Sequence, residues 1–156
     1  MTQCPTFREF VRATEGPVLS KLCTQLTGIS QATVDAAEPL DRVLAKFHKW
    51  LAAHIGDMNY AIAEDSPNDM EKFLLPECQR KGISVPWQSW VDIGRHQMDN
   101  FGLTRQVKLI DKLRLVGLEF EGRPHCGRDD ARNIARLALA LKRRGVVLSR
   151  NAGVGP

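Results

Sequence analysis

The sequence predicts a mixed α/β domain. Apolar residues recur at helical spacing over 40–54 and again over 134–144, while 6–12 and 57–63 read as strands. No internal repeat, low-complexity run or linker interrupts the chain, so residues 1–156 are expected to form a single domain. A length of 156 residues with 43% hydrophobic content suits that size.

Taken in order, Thr6–Arg12 (TFREFVR) reads as the first strand. Pro17–Leu26 reads as a short amphipathic helix with Val18, Leu19, Leu22, Cys23 and Leu26 inward, closed by Gly28. Ser30 is placed to cap a further turn through Val34. Leu40, Val43, Leu44, Phe47, Trp50, Leu51 and His54 fit the helical period, with Pro39 at the first position. His54 continues that stripe and so reads as a core or boundary residue, and His48 and His96 receive no role.

Met58, Tyr60 and Ile62 alternate with smaller or polar residues, which predicts a strand over Asp57–Ala63. It leads through Glu64-Asp65-Ser66-Pro67-Asn68 to Asp69, and Met70, Phe73 and Leu74 begin a helix that Pro76 is expected to interrupt. Ser66, Pro67 and Asp69 spell a capping box. Val85–Ile93 reads as an extended segment entering a helix. Its Trp87 and Trp90, with Phe101, are expected in the core rather than stacked on bases. Leu103–Leu115 reads as an amphipathic helix ended by Gly117. Val146–Leu148 reads as a last strand or docked tail, and 151–156 as frayed.

Between these lies Gly122-Arg123-Pro124-His125-Cys126-Gly127-Arg128-Asp129-Asp130-Ala131-Arg132-Asn133, which enters the helix Ile134–Arg144. Ile134, Leu137, Ala138 and Leu141 face a core, Lys142, Arg143 and Arg144 complement the helix C-terminus, and Gly145 stops it. Arg132, Arg136 and Arg143 make a basic stripe on the other side.

Charge is distributed unevenly. Residues 101–156 carry 12 Lys and Arg against 5 Asp and Glu, a net of +7, while residues 1–100 carry 10 against 13, a net of −3. A basic half beside acidic groups suits a protein that attracts phosphates and holds metals. No run of about 18 apolar residues is present, so no membrane span is expected. Met1–Thr14 does not read as a secretory signal, which leaves an intracellular protein, cytoplasmic or nuclear, as the expectation. Cys4, Cys23, Cys78 and Cys126 are far apart and are expected as reduced thiols.

A His five residues before an Asp at a helix start, plus a distant Asp after a strand, is a pattern for metal-assisted hydrolysis. Hard divalent ions take carboxylate oxygens and keep waters, and a neutral His accepts a proton from the attacking water. Helix-dipole complementation by Asp130 and an ordinary loop His125 would give the same spelling.

The motif Arg123–Arg136 resembles the third exonuclease motif of the DEDDh 3′-to-5′ exonucleases, in the form used by the Eri-type exoribonucleases. Leu26–Ala37 is similar to that family's TGI segment, Asp69–Leu74 to its second motif, and Trp90–Ile93 to its W-x-D segment. Four motifs appear in order, and the resemblance covers 6–150. It implies an RNase H-like exonuclease fold, a mixed sheet flanked by helices. It further implies RNA with a 3′ end as partner, and two Mg²⁺ or Mn²⁺ ions. Carried over by position, His125 is the general base, and Asp69 and Asp130 are metal ligands. Arg128, Arg132 and Arg136 are candidates for phosphate contacts.

The family pattern also has a D-x-E pair on a strand preceding the segment that matches Thr6–Arg12, whereas Met1–Pro5 holds no acid. The expectation is a fold short of one or two N-terminal strands, with little or no nuclease activity from this chain by itself: either the sequence is a truncated product or something else, such as a partner or second copy, completes the sheet. Asp69 and Glu71 are two apart on a helix and diverge, and Glu119 and Glu121 precede the third motif, so neither pair replaces the missing one. The alternative expectation is a non-catalytic RNA-binding or ribonucleoprotein-docking protein.

Overall fold

A computed structural model describes residues 5–151, which gather into two compact units divided after Tyr60. In the first, Ser20 caps α1 (Lys21–Thr27) by accepting the N–H of Cys23, and Gly28 closes it in the left-handed conformation. Ser30 accepts the N–H of Thr33 at the start of α2 (Gln31–Asp35). Gly28 and Ser30 act where the sequence put them, whereas the helix expected from Pro17 begins only at Lys21. The inward face expected for the first helix does not form: α1 buries no residue, and Val18 and Leu22 are 81% and 72% exposed. Local capping, rather than packing, holds these seven residues helical.

The strand expected over 6–12 is reduced to a single parallel bridge between Val11 and Glu38. Phe7 instead packs against Phe47 and Trp50 of α3 (Leu40–Ile55), with ring centroids 5.1 and 6.0 Å away. Val43, Leu44 and Leu51 supply the buried side of α3. His54 is exposed, contrary to expectation; its ring stacks on Trp50 and its Nδ1 lies 2.8 Å from the Trp50 carbonyl.

The second unit is built on a parallel pair, β1 (Ala63–Glu64) against β2 (Val91–Asp92), in register Ala63 with Val91 and Glu64 with Asp92. The strand expected over 57–63 is thus confined to its end. β2 stops after two residues because Asp92 turns to cap α5 (Ile93–Phe101), accepting the Arg95 N–H at 2.8 Å. A π-helical segment, Asn68–Leu74, runs directly into α4 (Leu75–Arg80). Pro76 does not break the helix, because it falls in the first turn of α4, where its missing N–H is not needed.

The helix expected from Leu103 begins only at Leu109: Lys108 is extended, and α6 spans Leu109–Leu115. Helix α7 runs Gly127–Arg143, and Gly145 follows with a positive φ. Leu113, Leu137 and Leu141 are fully buried between α6 and α7, with Val91, Ile93, Val116 and Val146 around them. Trp87 and Trp90 are buried as expected. The docked reading of Val146–Leu148 holds, since Val146 is in the core and Leu148 packs on it. Asn151 is not frayed: it accepts the Trp90 N–H and donates its own to the Trp90 carbonyl. Residues 152–156 lie outside the described range. No helix among the described residues is long and apolar enough to cross a membrane.

Candidate metal and nucleic-acid site

Two segments of the second unit meet at the site. The first is the turn from β1 into the π-helical segment. Here the capping box spelled by Ser66 and Asp69 does not form. Pro67 takes the cap position without a side-chain bond, and the buried Glu64 accepts the Met70 N–H at 2.9 Å. The strand carboxylate thus serves a donor at the helix start, and Asp69 in the first turn is left free of capping duty.

The second segment is the loop before α7. His125 adopts φ 63°, the only positive φ at a non-glycine among the described residues. Asp129 holds this loop, accepting the Arg123 N–H at 3.1 Å and the Arg128 Nε at 3.1 Å. Gly122 makes that approach feasible: a Cβ there would stand 2.6 Å from Asp129 Oδ2. Asp130, one position on, points elsewhere, as the 100° helical step requires. The backbone N–H of His125 donates to its carboxylate.

Asp69, His125 and Asp130 line one cavity of about 390 Å³, together with Asp65, Ser66 and Lys108. Its remaining wall is apolar, from Leu109, Ile110, Phe120, Pro124 and Ile134. Loss of hydration at this wall, reinforced by Asp65, raises the carboxyl of Asp69 above its ordinary value. Asp130 is raised for the same first reason, with Asp129 and Asp65 adding to it and the His125 N–H opposing. Asp129 is lowered by its bonds to Arg123 and Arg128. Glu64 is pushed up to about 7, mainly by burial, and its Oε1 has no hydrogen-bond partner.

These groups fit a hard divalent cation in kind. Two half-hydrated carboxylates on one wall are the donors Mg²⁺ takes while it keeps waters and substrate phosphate oxygens. Their raised proton affinity comes first from lost hydration and only then from neighbouring carboxylates, whose charge a bound cation would offset. Among the described residues no group of three or more His, Cys, Asp or Glu is arranged to hold a metal ion.

Of the basic candidates, Arg132 is exposed and Arg128 is paired with Asp129. Arg136 is fixed by the Glu119 carbonyl, Asn133 Oδ1 and Glu121 Oε1. Sequence reasoning assigned no role to Glu64, Asp65 or Lys112. The adjacent acids at 64 and 65 before a turn were a signal for the first two. Nothing local marks Lys112, whose acceptors come largely from distant sequence.

The family model for Exonuclease (RNase T) matches residues 2–138. Human 3′-5′ exoribonuclease 1 is 36% identical over 151 residues, covering 94% of this chain and 43% of that protein. ERI1 exoribonuclease 2 of Danio rerio is 37% identical over 161 residues, covering 92% of this chain and 29% of that protein. The chain therefore spans less than half the length of these relatives. Among solved structures, the nuclease domain of 3′hExo, a DEDDh family member bound to rAMP, superposes with a TM-score of 0.88. It is 34% identical, covering 95% of this chain and 76% of that one. A 3′-exonuclease solved in 3′-end specific recognition of the histone mRNA stem-loop gives 0.91 at 33% identity, covering 97% and 69%. The chain belongs to the RNase T exonuclease family, among the DEDDh nucleases of the 3′-5′ exoribonuclease type.

Proposed function

We propose that this chain carries the His125, Asp69 and Asp130 portion of a metal-dependent 3′-to-5′ exoribonuclease site that acts on RNA 3′ ends. The observation that carries the reading is that these three side chains line one cavity although Asp69 lies 61 residues before Asp130. Both units are proposed as parts of one exonuclease domain, since the family match runs across 2–138. Free thiols at Cys23, Cys78 and Cys126 suit an intracellular site of action, cytoplasmic or nuclear.

Asp69 and Asp130 would hold Mg²⁺ or Mn²⁺, which supplies Lewis-acid polarisation of a phosphodiester when bound. His125, exposed on its loop, takes the proton of the attacking water. Asp129 keeps that loop in place, and the apolar wall excludes bulk water on one side of the reacting phosphate. Arg128, Arg132 and Arg136 contribute positive charge for the RNA backbone. Asp65, the third carboxylate of the cavity, is tied to Lys112, so Asp69 and Asp130 leave a second ion short of protein donors and activity from this chain by itself is slow.

The test is Mn²⁺ titration of the full chain, with a 3′-labelled RNA followed for shortening. Asp69→Asn and Asp130→Asn are expected to weaken Mn²⁺ binding, and either of them or His125→Ala to abolish the slow shortening. Shortening that survives all three, or Mn²⁺ affinity indifferent to both Asp variants, overturns the reading. Salt-sensitive RNA binding with no shortening selects the non-catalytic alternative, which the basic face of α7 favours.

A further inference from the structure

Lys112 stands in the middle of α6 and is 2% exposed, an unusual place for an ammonium. It is buried with its partners: Nζ donates at 2.8 Å to the Asp65 carbonyl, to Asp65 Oδ1 and to Gln106 Oε1. All three of its protons are therefore used. Space for the ammonium exists because residue 94, in the first turn of α5, is glycine. A Cβ on Gly94 would collide with the Asp65 carbonyl oxygen and Lys112 Nζ, and would stand 2.6 Å from Gln106 Oε1.

The grip is on the backbone as well as the side chain of Asp65, the residue immediately after β1 and four before Asp69. Asp65 lines the same cavity as Asp69 and Asp130. Lys112 thus fixes where the chain leaves the sheet, and the Glu64 bond to Met70 fixes where the π-helical segment begins. Asp69 is carried between those two fixed points.

We propose that Lys112, seated over Gly94, is a positioning residue that sets Asp69 for divalent-cation binding by clamping the turn at Asp65. For its metal arm the inference rests on the reading given under Proposed function.

Charge and position predict opposite outcomes for Lys112→Met, which keeps chain length and removes the cation. By charge alone, losing a cation beside a carboxylate site tightens binding of a second cation. By position, loosening Asp69 weakens it, as the loss of groups that orient metal ligands does, by roughly 10- to 100-fold. A purely structural lysine lowers the melting temperature and leaves the affinity of the folded fraction unchanged.

The experiment compares the full chain, Lys112→Met and Gln106→Ala by amide hydrogen exchange and by Mn²⁺ titration, with Asp69→Asn and Asp130→Asn as controls. Gln106 is exposed, so its variant folds even if Lys112→Met does not. Both variants are expected to speed exchange at residues 66–71 beyond the change at the core amides of α7, and to weaken Mn²⁺ binding, Gln106→Ala less than Lys112→Met. Unaltered exchange at 66–71, or Mn²⁺ affinity unchanged or tighter while the Asp controls lose it, overturns the inference. If the Asp controls bind Mn²⁺ like the native chain, the proposed metal site fails, and the exchange at 66–71 alone decides the role of Lys112.

Discussion

Asn133 holds Glu121 by two hydrogen bonds, its Oδ1 accepting the Glu121 N–H at 3.1 Å and its Nδ2 donating to the Glu121 carbonyl at 2.8 Å. Nδ2 also reaches the Asp129 carbonyl, and the side chain is completely buried. An amide in the second turn of α7 therefore does for the incoming chain what a neighbouring strand would do. Asn133→Ala leaves two backbone groups without partners and is expected to cost about 2 kcal/mol in urea denaturation. A loss below about 0.5 kcal/mol means that the loop finds other partners.

Asp129 governs the acid limit of the same loop. Its carboxyl is held below the ordinary range, first by the Arg123 N–H and then by Arg128. A lowered group stabilises the fold above its unfolded value, and that contribution is lost as pH falls through the folded one. The native chain is expected to lose stability on acidification below pH 4 more steeply than Asp129→Asn does. Parallel acid limbs for the two proteins would exclude the assignment.

Glu64 acts in the opposite sense. Burial pushes its carboxyl up to about 7 from an ordinary 4.5. A raised group contributes stability that is complete below the unfolded value and lost as pH rises through the folded one. Over pH 4.5 to 8 the loss is up to roughly 3 kcal/mol. Glu64→Gln keeps an acceptor for the Met70 N–H and removes the titration, so its urea midpoint is expected to vary far less across that window. An equal slope in both proteins would place the titration elsewhere.

The basic residues of α7 separate by what already holds them. Arg132 is exposed, and Arg132→Ala is expected to reduce the salt dependence of RNA binding by about one counterion with stability unchanged. Arg136 is tied to Glu119, Asn133 and Glu121, so Arg136→Ala is expected to lower stability by about 1 kcal/mol as well as the salt slope. Denaturation and filter binding at three salt concentrations read both. An unchanged slope for either variant removes that residue from the RNA face.

What the sequence disclosed was local. Ser30, Gly28 and the Ile134–Leu141 period act within a few residues, and each is where the pattern put it. The pairing of His125 with Asp130 is of the same kind, five residues apart across a helix start. The errors lie where partners are remote or where an element is cut short. The alternation over 57–63 predicts a strand, yet β2 offers it only two residues before Asp92 becomes a cap. Val18 and Leu22 carry an inward pattern, yet Val18 falls before α1 and Leu22 lies on a helix too short to be held by packing. Pro76 reads as a breaker only if hydrogen bonding is α-helical on both sides, which the π-helical segment before it is not. Lys112 carries no local mark because Asp65, which makes its burial tolerable, lies 47 residues away.

The left-handed backbone at His125 sets stability against chemistry at a single codon. A side chain there costs of order 1 kcal/mol that glycine would not. Selection for thermal tolerance alone therefore drives this position toward His125→Gly, which relaxes the loop and removes its only imidazole. A histidine retained at position 125 across variants bred for heat resistance would be a record of use, since the backbone itself works against it.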